Sequence, residues 1–327
     1  MDSSSAQIHP SHLVEPSEPS QTGAIAAVII THNRKEKVSQ CLDSLLRSSR
    51  RPDEIFVVDN ASADGTYEHL RHNYPDVHVL SPGKNLFVSA AANLGILASS
   101  SQYILVLADD NTVHEQMVEE LFNTTRQLGA GISGPKMLFR DDPQRLWSVG
   151  AMISLTTGIC KHRGAGQIDV GQCDEIFEPD LVDNALFISR AALDKIGLFD
   201  DKNFVMQNEE ADLCTRARRA GIRVITVPSA RLWHDVDSKA ETVRVGSRDF
   251  GLDSPFRAFL TARNRIVLIR KHGSSTQRLV FQLLFLPAIS VVYLLIILLK
   301  PNRFPILRAF LRGTWAGVSD RIIGRHK

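Results

Sequence analysis

Three runs of strand length with almost no polar interruption constrain this chain most: residues 24–31 (AIAAVIIT), 54–58 (EIFVV) and 103–107 (YILVL). A strand without polar alternation is buried on both faces, so its sheet needs a layer on each side. The segments between supply those layers. Val38, Cys41, Leu42, Leu45 and Leu46 fall on one face of a helix. Residues 67–73 read as a short helix, 77–80 as a further strand and 88–98 as a helix of small residues. Regular alternation of this kind implies βαβ units and a mainly parallel sheet of the α/β class. No internal repeat is visible.

The rest of the chain is less regular. Residues 131–208 carry Gly134-Pro135, a loop-like stretch at 158–172 and an apolar run at 185–188. A helix is expected from Glu209 to Ala220, ended by Gly221, and residues 222–227 read as a strand stopped by Pro228. Residues 1–23, rich in Ser, Pro, Gln and Glu, have no apolar core and read as a disordered tail rather than a leader.

Residues 279–299 are apolar except for Gln282, Pro287 and Ser290. As one helix they would reach about 30 Å, enough to cross a bilayer. Three readings stay open: a span, an interfacial segment, or a buried hairpin broken at Pro287. Basic residues flank both sides, among them Arg270, Lys271 and Arg278 before it and Lys300, Arg303 and Arg308 after it. They therefore choose no orientation. Residues 304–323 resemble an interfacial helix. Together these features point to the cytoplasmic face of a membrane, held peripherally or by a single hydrophobic segment.

A net charge of +2 gives no argument for nucleic acid. Cys41, Cys160, Cys173 and Cys214 form no CxxC pair, and Cys160, His162 and Cys173 fit no zinc spacing. Reduced cysteines in a cytosolic compartment are expected.

Ligands of an open parallel sheet bind beyond the carboxyl ends of its strands. Two of those ends carry acids here, Asp59 and Asp109-Asp110. Such acids serve as turn residues or helix caps, as acceptors for a nucleobase or ribose, or as ligands of a hard divalent cation. The adjacent pair needs its mutual repulsion compensated, and a cation bridging a diphosphate would do so.

The motifs, taken in order, resemble the family 2 glycosyltransferases of the GT-A fold, over about residues 24–270. Residues 28–34 (VIITHNR) look like the family's first strand and nucleotide loop, and residues 57–66 (VVDNASADGT) its "VDNxSxDGT" signature. Asn85, Asn93 and Gly95 match its Asn-rich donor loop, with Leu86 where a glycine is usual. Residues 107–111 (LADDN) resemble its metal motif, with Ala108 in place of a first acid. Residues 196–200 (IGLFD), 209–214 (EEADLC), 216–221 (RARRAG), 228–230 (PSA) and Trp233-His234 follow its acceptor-side pattern.

The resemblance, closest to rhamnosyl- and galactofuranosyltransferase types, implies a Rossmann-like mixed sheet, mainly parallel, flanked by helices. It implies a nucleotide-sugar half (24–130), an acceptor half (131–270) and a helical membrane appendage (271–327). The activity implied is inverting transfer of a sugar from a nucleotide-diphosphate donor to a hydroxyl of a glycan or lipid-linked acceptor of the cell envelope. Thr31, Asn33, Arg34, Asp59, Asn60, Asp64, Asn85, Asn93 and Asp109 would line the donor. Asp110 and His234 would hold Mg²⁺ or Mn²⁺. Glu210 takes the position of the base, with Glu209 and Asp212 beside it on the acceptor side; read alone, these acids fit a helix N-terminal turn equally well. Two rivals are a non-catalytic, membrane-tethered sugar-nucleotide-binding module and a sugar-phosphate nucleotidyltransferase. The second needs a Gly-rich basic loop, which His32-Asn33-Arg34 is not.

Overall fold

The computed structural model describes residues 23–236 and 251–319. The expected tail falls almost wholly outside them, as does the end of the expected interfacial helix. Its elements in chain order are β1 (Ile25–Thr31), α1 (Lys35–Leu46), β2 (Glu54–Asp59), α2 (Thr66–Asn73), β3 (His78–Leu80), α3 (Phe87–Ala98), β4 (Tyr103–Ala108), β5 (Asn111–Val113) and α4 (Met117–Gln127). There follow β6 (Ile132–Phe139), β7 (Leu146–Ser148), β8 (Ala151–Ser154), β9 (Ile159–His162), β10 (Ala185–Ser189), α5 (Arg190–Ile196), α6 (Glu209–Arg219) and β11 (Val224–His234).

One sheet runs β3-β2-β1-β4-β10-β6-β11-β5, with β7 on β6 and the β8–β9 hairpin apart. Strands β1 to β4 pair in parallel, as do β6 and β11, while β10 runs antiparallel to both its neighbours. The mixed, helix-flanked sheet is the expected one. Alternate residues of β1 feed two cores. Ile25, Ala27 and Ile29 meet α1 and α4, whereas Ala26 and Val28 share a core with α3 and α6. Gly95 lets α3 approach β1, because a Cβ there would lie 2.3 Å from Val28 Cγ1.

Three elements differ from the sequence reading. Gly134-Pro135 lies inside β6, which is buried along its whole length. Strand β11 continues past Pro228, the register shifting between Val227 and Arg231. The proline's missing N–H is absorbed in that irregularity, and the strand resumes to end on His234. Pro287 breaks nothing: α8 (Ser275–Val280), a π-helical turn (Phe281–Phe285) and α9 (Leu286–Leu298) form one helix of 24 residues. The π turn and the place of Pro287 in the first turn of α9 accommodate the lost donor.

Helix α9 packs Tyr293, Ile296 and Ile297 against α7 (Pro255–His272) and α10 (Arg303–Val318), with Ala258, Ala262 and Phe310. Gly313 permits the close α7–α10 crossing, since a Cβ there would sit 2.2 Å from the Phe259 carbonyl oxygen. The other face of α8 and α9 is exposed and apolar, including Leu279, Leu283, Leu284, Val291, Leu295 and Leu299. By length and composition this helix could cross or associate with a membrane.

Candidate active site

The loops after β1, β2 and β4 converge at the carboxyl edge of the sheet. Asp59 is buried and accepts on Oδ1 from the Ser62 backbone N–H and hydroxyl. Asn33, at φ 53°, accepts from Ala63 N on Oδ1 at 2.6 Å and donates its own N–H to Ser62 Oγ. Asn60 accepts from Leu86 N and donates to the Phe87 carbonyl, tying the second loop to the start of α3. Asn85 accepts from Phe87 N. The left-handed residue of this donor loop is Phe87 (φ 59°), while Leu86 has an ordinary helical φ of −87°. The cost of lacking a glycine therefore falls one residue later than expected, on a bulky side chain.

Two residues expected to line the donor are engaged elsewhere. Asn93 is buried and exchanges both amide hydrogen bonds with Phe199. Asp64 accepts from Thr66 on one oxygen and from Lys35 N on the other. Both knit loops together.

At the end of β4 the acidic pair has its compensation in the protein itself. Arg34 NH1 lies 3.0 Å from Asp109 Oδ1 and 3.0 Å from Asp110 Oδ2. Thr31 Oγ1 donates to Asp109 Oδ2 at 2.7 Å. Burial raises the Asp109 carboxyl above its usual range, outweighing Arg34 and Thr31. Asp110 goes the other way: burial would raise it, but His234, then Arg34 and Lys37, hold it below.

His234 reaches Asp110 because β11 pairs with β5, setting His234 opposite Asn111. Its Nε2 stands 3.4 Å from Asp110 Oδ1. Asp110 Oδ1 and His234 Nδ1 are both buried without a hydrogen-bond partner. A carboxylate oxygen facing an imidazole nitrogen suits a hard divalent cation such as Mg²⁺ or Mn²⁺. Among the described residues no cluster of three or more His, Cys, Asp or Glu could hold a metal. The donor's phosphates and water would have to complete any such coordination.

The acids that open α6 are set differently. Gln207 (φ 66°) and Asn208 (φ 68°) make a strained entry to α6, held by Asn264 of α7, which donates to the carbonyls of Met206 and Gln207. Glu209 is buried with Oε2 unpartnered. Glu210, half-buried, accepts from Asn184 N at 2.6 Å. Burial lifts Glu209 to about 7 and pushes Glu210 well above the glutamate range, with Glu209 and Asp183 adding to the latter. Asp212 does not join them on the acceptor side. It is 0% exposed and bound by Arg216, Lys271 and His272, which hold it down to about 2 against burial. Its place is the seam between α6 and α7.

Sequence reasoning passed over Trp147, Asp183 and Asn184, considered His162 only as a zinc ligand, and took Asn111 only as the end of the acidic motif. His162 Nδ1 lies 3.1 Å from Asp183 Oδ2. The Asn184 and Asn111 side chains exchange hydrogen bonds. The Trp147 ring stands edge-on to His234 at 4.7 Å between centroids and 5.6 Å from His162, linking the two ends of the site. A cavity of about 1410 Å³ opens beside them and runs from Trp147, His162 and Asn208 to Arg265, Ile289 and Val292. One signal was available: Asp183-Asn184 borders a buried strand just as Asp59-Asn60 does.

Comparison with known proteins gives a consistent picture. The family model described as "Glycosyl transferase family 2" matches residues 26–197. An N-acetylglucosaminyl-diphospho-decaprenol L-rhamnosyltransferase of Mycobacterium tuberculosis (strain ATCC 25618 / H37Rv) is 28% identical over 238 residues, 65% of this chain and 76% of that protein. Galactofuranosyltransferase GlfT1 of Mycolicibacterium smegmatis is 25% identical over 263 residues, 77% and 85% of the respective chains. Among solved structures, S. aureus TarS superposes with a TM-score of 0.57 at 13% identity, over 91% of this chain and 82% of that one. GalNAc-T7, solved with UDP, GalNAc and Mn²⁺, gives 0.53 at 14% identity, over 79% of this chain and 54% of that one. At such identities the structures speak for the fold alone.

Proposed function

The chain belongs to glycosyl transferase family 2, and from that premise we propose that it transfers a sugar, with inversion, from a nucleotide-diphosphate donor to a hydroxyl of a lipid-linked glycan acceptor. The observation that carries this reading is the Trp147 bridge, with the Asp110–His234 pair on one side and, on the other, His162, joined through Asp183-Asn184 to Glu210. A diphosphate leaving group and an acceptor base belong on opposite sides of one reacting carbon.

In this reading the nucleoside lies over the loops after β1 and β2, against Asp59, whose Oδ2 is not used by the Ser62 contacts. Asp110 and His234 would hold the divalent cation, which when bound would neutralise charge developing on the departing diphosphate. Glu210 takes the proton of the acceptor hydroxyl as its oxygen bonds to the anomeric carbon. The bond from that carbon to the diphosphate oxygen breaks with its electron pair, and one displacement inverts the centre. Residues 24–130 are then the donor half, 131–270 the acceptor half and 271–327 the membrane appendage.

Two observations favour a lipid-linked acceptor. The cavity ends against Ala288, Ile289 and Val292 of the apolar helix, whose far face is exposed. The rhamnosyltransferase relative is named for a diphospho-decaprenol acceptor. In this reading the appendage associates with the membrane, on the cytoplasmic face, either peripherally or by its single hydrophobic segment. Family membership disfavours the nucleotidyltransferase and the non-catalytic module.

The test is donor hydrolysis by the purified full chain over a panel of UDP- and dTDP-linked sugars, with Mg²⁺, with Mn²⁺ and with chelator. Metal-dependent release of nucleoside diphosphate is expected for one donor. Chelator-resistant hydrolysis removes the metal role from Asp110, and no hydrolysis of any donor defeats the reading.

A further inference from the structure

His162 ends β9 in the hairpin that stands apart from the main sheet. Its Nδ1 is fixed from below, 3.1 Å from Asp183 Oδ2 and 3.0 Å from Ser148 Oγ. Asp183 is buried, and its other oxygen has no hydrogen-bond partner. The next residue, Asn184, takes a left-handed φ of 63° and turns its N–H onto Glu210. Two consecutive residues thus fix the imidazole and the base from one corner.

A histidine that merely docked the hairpin would be enclosed at this contact. The His162 side chain is instead 33% exposed and stands in the cavity wall near Asn208. With Nδ1 held by a carboxylate, the accessible ring nitrogen is Nε2, whose nearest recorded contact is Cys160 Sγ at 3.8 Å. Burial alone would lower its pKa; the Asp183 carboxylate overrides this and raises it to about 11. Nε2 therefore carries a proton at neutral pH and is a donor that faces Cys160, another residue of the cavity wall.

We infer that His162, oriented by Asp183, is an acceptor-binding residue: Nε2–H donates to an oxygen of the acceptor sugar and so sets the attacking hydroxyl over Glu210. The inference rests on the glycosyltransfer reading of the site. No bond is made or broken at His162, and the hydroxyl proton still goes to Glu210. A charged donor in this position discriminates between acceptors by presence of the oxygen it binds, since an acceptor lacking it leaves a partly buried N–H unpaired.

Two substitutions separate binding from docking. His162→Asn places its amide near Nδ1 and keeps the Asp183 contact but loses the Nε2 donor. His162→Gln places an amide nitrogen near Nε2. The probe is N-acetylglucosaminyl diphosphate on a short isoprenol, with the donor found by the hydrolysis screen. His162→Asn is expected to lower kcat/KM for the probe about 30-fold, chiefly through KM, and His162→Gln to stay within about fivefold of wild type. The donor KM, which the acceptor side does not set, is expected to stay within about twofold in both and reports that they fold. Equal transfer by the two variants, or a loss of transfer that lies in kcat with the acceptor KM unchanged, overturns the assignment. Loss of hydrolysis in the wild type would defeat the underlying reading instead.

Discussion

The two ends of the site each hold a pair of adjacent acids, yet the protein treats them in opposite ways. Asp109-Asp110 meets Arg34 and His234 within 3.0 to 3.4 Å, and Asp110 is held below the usual carboxylate range. Glu209-Glu210 has no cation within ion-pairing distance among the described residues, and burial raises both. Asp110 is therefore prepared to meet positive charge, and the glutamate pair to hold a proton. A diphosphate site needs the first state, and a general base near its working pH needs the second. Adjacent carboxylates acquire different chemistry from their surroundings.

The largest expected effect comes from removing the proton acceptor. Glu210→Gln should reduce transfer about 10³-fold while leaving donor KM within about threefold, by steady-state kinetics with both substrates varied. A parallel rise in donor KM would mean that the two ends are not separable. Asp110→Asn strikes the other pair. It should weaken Mn²⁺ binding in the presence of nucleoside diphosphate by about 10- to 100-fold in a paramagnetic-resonance titration, with affinity for the acceptor probe unchanged.

The pH profile sharpens the contrast. Glu210 must be ionised to accept a proton, and Glu209 and Glu210 are both raised, Glu209 to about 7. Transfer should therefore fall as pH drops, by about tenfold per unit on an acid limb that lies above the ordinary glutamate range. Donor binding should stay level there, because Asp110 remains ionised. A donor-binding limb at the same pH as the transfer limb would show that the two pairs are not held in different states. The smallest effect is expected at Arg34, whose guanidinium sits between the carboxylates that a metal would use. Arg34→Ala should tighten Mn²⁺ binding to the donor-free chain by about three- to tenfold. Weaker binding in that variant would make Arg34 an organiser of the metal site rather than its competitor.

The chain's own sequence determined a good deal. Unbroken apolar runs specify strands buried on both faces, and such strands demand helices on each side of a sheet. Acids at strand ends, and acids opening α6, could be read directly because burial and periodicity are local properties of the chain. Four things were decided only by tertiary structure. Strand β10 runs antiparallel, so Asp183-Asn184 at its start lands on the same rim as residues at the ends of β1 and β4. The residue pattern of a strand carries no direction, and its partners lie far along the chain. Strand β11 survives Pro228 through a register shift and delivers His234 to Asp110. Arg34 supplies the positive charge that the acidic pair seemed to require from outside. Asp212 and Asn264 fasten α7, and with it the apolar helix, to α6 and the loop that enters it. In each case a side chain's chemistry follows from a neighbour dozens of residues away, and those distances are set by packing, which no local pattern records.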